Sequence, residues 1–375
     1  MNSVDSLSKL KFGFITTNLK SGGAEKAIIK LAGALAQRGH NVHLILLEHI
    51  TEHQPPAGVT VHSLTLPGVT ISKGSLGKRI AAFKLKRLHS KLAHTRPFDT
   101  LISTLPFCDE VVKLAALPQV WFRIANTLSS EIEKLLENNS SKAHRRFKRY
   151  QRLYDGEQLI AVAEGVADDL RDQLKLQQAT ISTIHNYFDF AAIRQKATLP
   201  DKEIPKTPYV IHVGRFNSQK RHDLLFSAWC KLQSPHKLVL LTKESKALSQ
   251  MIELFGLTDQ VIVAGFKSNP YPWIKQAERL VLCSDHEGLP NVLIEALILG
   301  TQVISTDCPS GAQEILMDHL CSSLIPMNDV HALVHALRTP PQRYLTLPDG
   351  FSEKFSSMAV IHQYENLTRL QRRIY

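Results

Sequence analysis

Long apolar runs are missing from this 375-residue chain. No stretch reaches the roughly 18 residues that a membrane-crossing helix needs, so none is expected. Cysteine is scarce as well. The five thiols, Cys108, Cys230, Cys283, Cys308 and Cys321, are odd in number and scattered. None belongs to a Cys-x-x-Cys pair, which argues against a zinc ribbon or a disulfide framework and suits reduced thiols in the cytosol. The polar segment Met1 to Leu10 runs into a short strand and does not read as a signal peptide. Neither Gly-x-Gly-x-x-Gly nor a Walker lysine-threonine pair is present, which argues against a dinucleotide or ATP site. Helix-turn-helix spacing, a zinc ligand set and aromatic RNA-stacking motifs are all absent, so no nucleic-acid partner is expected.

What is there is ordinary globular material. Hydrophobic residues make up 43% and charged residues 21%, and the length suits two domains. The net charge of +11 favours a polyanionic partner: nucleic acid, a phosphorylated substrate or an anionic membrane. Short apolar runs alternate with helical patterns. Phe12–Thr16, Val42–Leu47, Thr100–Leu105, Val120–Ile124 and Leu159–Ala163 read as strands. Ile28, Leu31, Ala32 and Leu35 put one apolar face on a helix that Gly39 stops. Pro200, Pro205 and Pro208 break the pattern, and about 190–208 reads as a linker. The alternation restarts with Tyr209–Val213, Leu238–Leu241, Val261–Ala264, Leu280–Cys283 and Val303–Ser305. The chain therefore predicts two α/β, Rossmann-like, doubly wound domains, with ligands at the carboxyl ends of the strands in a cleft.

Three motifs sit just after strands. Ser21-Gly22-Gly23-Ala24-Glu25-Lys26 opens the first helix; it is either a tight turn or a place where backbone N–H groups approach a phosphate. Gly214-Arg215-Phe216-Asn217-Ser218-Gln219-Lys220 sets an arginine and a lysine at a strand end, as a diphosphate clamp requires. The third runs from Ser284 through Glu287-Gly288-Leu289-Pro290-Asn291-Val292 to Glu295. Pro290 suits a helix start, and the Asn291 and Val292 amides would be free donors. Glu287 and Glu295 can accept paired hydroxyls from a sugar or a ribose. Apolar neighbours surround Glu295, and a buried carboxylate needs a partner.

These motifs, in this order, resemble family four of the retaining glycosyltransferases, which have the GT-B fold, and within it the bacterial enzymes that build lipid-linked or cell-surface glycans. The resemblance covers nearly the whole chain. It implies an acceptor-binding domain over 1–190, with a last helix, 355–375, packing back on it, and a nucleotide-sugar domain over 205–354. It implies that Arg215 and Lys220 bind the donor diphosphate, that Glu287 contacts the sugar and that Glu295 holds the ribose. Gly22, Gly23, Gly214, Gly288, Leu289, Pro290, Asn291 and Val292 would supply backbone contacts. Transfer would retain the anomeric configuration, with no metal and no cofactor; the nucleotide sugar, a UDP-sugar foremost, is a substrate. The sequence departs from the family twice. Thr242-Lys243-Glu244-Ser245 stands where a Gly-Asp-Gly loop is common, and Arg123 and Asn126 stand on the acceptor side where a histidine is common.

Basic residues cluster in two helical stretches. Lys78, Arg79, Lys84, Lys86, Arg87, Lys91 and Arg96 form one; Lys142, Arg145, Arg146, Lys148, Arg149 and Arg152 form the other. Each is either a solvated face or a dock for an anionic membrane. The expected location is cytoplasmic, at the inner face of the membrane, next to a lipid-linked or lipopolysaccharide acceptor. The alternative activity is that of a sugar-nucleotide epimerase of the same fold.

Overall fold

The computed structural model describes residues 9–20, 22–340 and 346–371. Ser21 of the glycine loop and the last four residues of the expected terminal helix lie outside them. The chain forms two compact units, one of residues 1–187 and 357–375, the other of 188–356.

Unit 1 is built on a seven-stranded sheet. Its strands are β1 (Lys11–Thr16), β2 (Asn41–Leu46), β3 (Val59–Ser63), β4 (Thr100–Thr104), β5 (Val120–Ile124), β6 (Gln158–Ala161) and β7 (Thr180–Thr183). Their order is β3-β2-β1-β4-β5-β6-β7, and every pair is parallel. Parallel strands are covered on both faces, which is why β1 and β4 are buried at every position. Three helices matter below: α1 (Gly23–Gln37), α2 (Ser75–Ala93) and α3 (Pro106–Ala115). Helix α1 ends where Gly39 takes φ of 86°, a conformation glycine adopts without strain.

The expected last helix is present as Ser357–Gln371, and a separate short helix precedes it. Phe351–Phe355 belongs to unit 2 and Ser357–Gln371 to unit 1. The second inserts Val360, Ile361, Tyr364 and Leu367 into the core formed by Phe12, Phe14, Leu31 and Leu35. It is also pinned by charge. Glu365 accepts from Arg38 Nε and pairs with His40 Nε2, both at 2.8 Å. Burial works to raise the Glu365 pKa, but the hydrogen bonds from His40 and Arg38 and their charge overcome it and hold the carboxyl below its ordinary value.

Unit 2 carries a six-stranded sheet: β8 (Tyr209–Val213), β9 (Lys237–Leu241), β10 (Val261–Val263), β11 (Arg279–Leu282), β12 (Gln302–Thr306) and β13 (Leu324–Ile325). The order is β10-β9-β8-β11-β12-β13, again with parallel pairs throughout. The chain winds outward from β8 to β10, then returns to lay β11 on the other side of β8. The switch point of the sheet is therefore between β8 and β11, where open α/β sheets leave a crevice at the strand ends. Leu225, Trp229, Leu238, Leu240, Leu248 and Val281 fill the core.

The expected linker of 190–208 is in part a helix. Asp189 accepts a hydrogen bond from the Ala192 amide and caps Phe190–Lys196, which belongs to unit 2. Arg194 Nε donates to the Ile298 carbonyl at 3.3 Å. Only the proline-bearing remainder is irregular. Both ends of unit 2 meet, since Phe188 and Ser356 form a parallel bridge.

Candidate active site

The loops that follow β8 and β11 converge at the switch point of unit 2. After β8, Gly214 leaves little room for a side chain. A Cβ there would lie 3.3 Å from both His212 Nε2 and Lys220 Cε. Asn217 then caps a short turn, accepting from the Lys220 amide at 3.1 Å, and this aims Lys220 back across the sheet. After β11, Asp285 N donates to the Gln219 carbonyl at 2.9 Å, and Gln219 Nε2 donates to the His286 carbonyl at 2.6 Å. The two loops are thus zipped together.

At their junction Lys220 Nζ donates to Glu287 Oε1 at 2.5 Å. The side chains are 16% and 11% exposed, so the pair is largely removed from water yet still reachable. Arg215 behaves differently. It is exposed and makes no hydrogen bond or ion pair with the described residues, so it takes no part in the pair.

Pro290 caps the helix Asn291–Ile298, as its fixed φ suits. Gly288, Leu289 and Pro290 are buried, while Asn291 and Val292 remain partly open. Glu295 is 8% exposed, and Tyr271 donates its hydroxyl to Glu295 Oε1 at 3.1 Å. That phenol is one partner the apolar surroundings demanded.

Sequence reading missed three features here. The first is the segment after β12. Gly311 N and Ser310 Oγ both donate to the Gly288 carbonyl, at 2.9 and 2.8 Å, and brace the Glu287 loop from behind. The second is Tyr271. The third is a pair of buried imidazoles, His212 and His222, whose rings lie 4.7 Å apart. His212 Nδ1 donates to the Val281 carbonyl at 2.9 Å. Burial, then the charges of His222 and Lys220, pushes its pKa well below the ordinary value. His222 falls to about 4, through burial and then Lys220. Both rings are neutral near pH 7 and leave the positive charge to Lys220. Cys308, beside the pair, is pushed up to about 12 by burial and then by Glu287, so it is a thiol and no nucleophile.

In unit 1, Gly22 caps α1 and Gly23 is its first residue. A Cβ on Gly22 would run into Glu25, whereas one on Gly23 would meet no atom of the described residues within 4 Å. Arg123, at the end of β5, is 2% exposed. Its Nη2 donates to Asn186 Oδ1, while Nε and Nη1 have no hydrogen-bond partner among the described residues. Asn126 Oδ1 accepts from the Thr127 amide at 3.0 Å. Arg123 and Asn126 do come together, lining a small cavity of about 70 Å³ with Leu105, Pro106, Asp109 and Tyr154. Asp109 was not foreseen. Burial pushes its pKa up to about 7 against the hydrogen bonds from Ser103 and Tyr154, at 2.5 and 2.7 Å.

Two parallel sheets of this topology, with a charged pair at one switch point, are those of the GT-B fold of glycosyltransferases. Comparison with known proteins agrees. Residues 21–191 match the model described as Glycosyltransferase Family 4, and residues 207–339 match Glycosyl transferases group 1. The protein belongs to these glycosyltransferases. Among curated relatives, it is similar to the N-acetylgalactosamine-N,N'-diacetylbacillosaminyl-diphospho-undecaprenol 4-alpha-N-acetylgalactosaminyltransferase of Campylobacter jejuni, with 28% identity over 88% of this chain and 89% of that one. It is also similar to the lipopolysaccharide 1,6-galactosyltransferase of Escherichia coli, at 28% identity over 48% of this chain and 50% of the other. Among solved structures, Anabaena HepE in complex with UDP and glucose superposes with a TM-score of 0.72 at 18% identity, covering 97% of this chain and 100% of that one.

Proposed function

We propose that the protein moves a sugar from a nucleoside diphosphate donor, a UDP-sugar foremost, to a lipid-linked or lipopolysaccharide-type acceptor. Transfer retains the anomeric configuration and uses no resident metal or cofactor, and the enzyme works at the inner face of the cytoplasmic membrane. One observation carries this reading: the Lys220–Glu287 pair at the switch point of unit 2. A lysine and a glutamate that neutralise each other in the free enzyme are a placeholder for substrate. A diphosphate is the stronger partner for the ammonium, and when it takes Lys220 it frees Glu287 to accept from sugar hydroxyls.

The remaining residues extend this division of labour. Arg215, unpaired and exposed, swings onto the diphosphate and with Lys220 stabilises the charge that develops on the leaving nucleotide. Gly214, Gly288, Leu289, Pro290, Asn291 and Val292 offer backbone contacts, and Glu295 holds the ribose hydroxyls. Gly22 and Gly23 offer a backbone approach at the start of α1. Arg123 and Asn126 serve the acceptor. The names of the relatives, which act on a polyprenyl diphosphate and on lipopolysaccharide, support the acceptor class. The UDP bound by HepE supports the donor.

Thermal unfolding against a panel of UDP, GDP and TDP sugars tests the donor. A ligand at a hundred times its Kd adds about 2.7 kcal/mol to folded-state stability, a clear rise in Tm. Lys220→Ala should abolish the rise and lower turnover by roughly 10²–10³-fold. No stabilisation by any nucleotide sugar would overturn the proposal.

A further inference from the structure

Helix α2 presents its hydrophobic side chains to solvent. Ala81, Ala82 and Leu85 are buried beneath it, as a surface helix requires. Leu76, Ile80 and Phe83, however, are 71%, 50% and 70% exposed. Their spacing of four and three residues places them in one stripe about 60° wide, centred roughly opposite the buried face at 100° per residue. Leu66 and Val69, in the segment before the helix, are exposed too. Large apolar side chains gathered in this way mark an interaction surface.

The charges around the stripe identify what covers it. On the same helical projection Arg79 lies on one side of it and Lys84 on the other, while Arg87 and Lys91 continue the face C-terminally. Lys86 lies beyond Arg79. All five are exposed, and none has an ion-pair partner among the described residues. Lys78, by contrast, is bound to Glu110 at 2.5 Å, and Arg146 and Arg149 of the second basic stretch are bound to Glu131 and Glu110. The second stretch keeps free charge too, at Lys142, Arg145, Lys148 and Arg152, but its helix, Ser140–Tyr154, exposes no large apolar side chain, so among the described residues free charge and an apolar stripe coincide on α2. An apolar centre with a basic rim fits the boundary between acyl chains and anionic headgroups.

We infer that α2 is the membrane-docking element: it lies in the plane of an anionic lipid surface with Leu76, Ile80 and Phe83 inserted and Arg79, Lys84 and Arg87 on the headgroups. This rests on the peripheral-membrane reading above and sharpens it, since the second basic stretch takes no leading part.

Phe83→Trp tests the inference directly. The native Trp121, Trp229 and Trp273 are buried and give a silent background. With phosphatidylglycerol–phosphatidylcholine vesicles carrying brominated chains, the new tryptophan should blue-shift and be quenched. A Leu136→Trp control, on another exposed apolar position, should not respond. The triple variant Leu76→Ser, Ile80→Ser, Phe83→Ser should weaken vesicle sedimentation at least about tenfold with Tm unchanged. Arg79→Glu, Lys84→Glu, Arg87→Glu should remove the binding that salt removes from the native protein. Binding without quenching at Phe83→Trp, or a triple variant that sediments like the native protein, would overturn the inference. So would a native dimer that the triple variant splits, which would make the stripe a self-association face. UDP-induced stabilisation should be the same in all these variants. Its absence would sink the donor reading and leave the vesicle result standing.

Discussion

Replacing Gly311 with alanine should damage catalysis through a carbonyl that the residue itself never presents to substrate. Gly311 has φ of −59° and ψ of −7°, which alanine adopts freely, so the backbone is not the obstacle. Space is. The new methyl would stand 2.6 Å from the Gly288 carbonyl oxygen, 2.9 Å from Leu289 Cδ1 and 3.0 Å from Leu289 Cα. Ordinary contact begins near 3.4 Å, so the donor loop must recede by about 0.8 Å, carrying Glu287 with it. Two consequences follow. Overpacking should lower stability by about 1–3 kcal/mol. A displacement approaching 1 Å at a positioned group should lower kcat/KM by about tenfold to 100-fold, mainly through the donor KM. Steady-state transfer assays with varied donor, alongside thermal unfolding, check both. A variant that unfolds earlier yet keeps native kcat/KM would refute the idea that the Pro309–Gly311 segment sets the Glu287 loop.

Three further outcomes are expected. Gly23→Ala meets no atom within 4 Å, so Tm should hold or rise; a fall in donor affinity at unchanged Tm would mark Gly23 as a backbone contact, and native affinity would remove it from the site. Asp109 has a folded pKa of about 7, above its unfolded value, so the folded state loses stability as pH rises from about 4 to 7. Asp109→Asn should therefore be more favourable relative to native protein at pH 8 than at pH 5, and equal differences in Tm at the two pH values would contradict the shift. Glu365 is held below its unfolded pKa, so its contribution is present above that pKa and lost as pH falls through the folded one. Glu365→Gln should cost stability at pH 7 and much less near pH 3, as followed by urea unfolding.

The parts of the fold legible in the sequence were those with local causes. Strands buried on both faces, such as β1, β4, β8 and β11, read as apolar runs. The edge and near-edge strands β3, β7 and β13 did not, because Val59–Ser63 and Thr180–Thr183 are polar and β13 is only two residues long. The helix Phe190–Lys196 was hidden by the prolines that follow it, although Asp189 carried a cap signal. Glu287 and Lys220 could be picked singly, each by its place after a strand. Their contact joins residues 67 apart and depends on β11 returning beside β8, which no local pattern contains. The same holds for Tyr271, whose hydroxyl reaches Glu295 from 24 residues away, and for Ser310 and Gly311 behind the Glu287 loop.

The Phe188–Ser356 bridge gives unit 2 a single doorway. Its entrance and exit are neighbours, so the whole of unit 2 is a cassette inserted into the chain at one point. Gene-level exchange of residues 188–356 then needs two splice positions that already touch, and a graft from a homologue with another nucleotide sugar would keep its own ends together. If unit 2 holds the donor as proposed, specificity for the donor can thus change by replacement in one piece, while the strand order of unit 1 stays as it is.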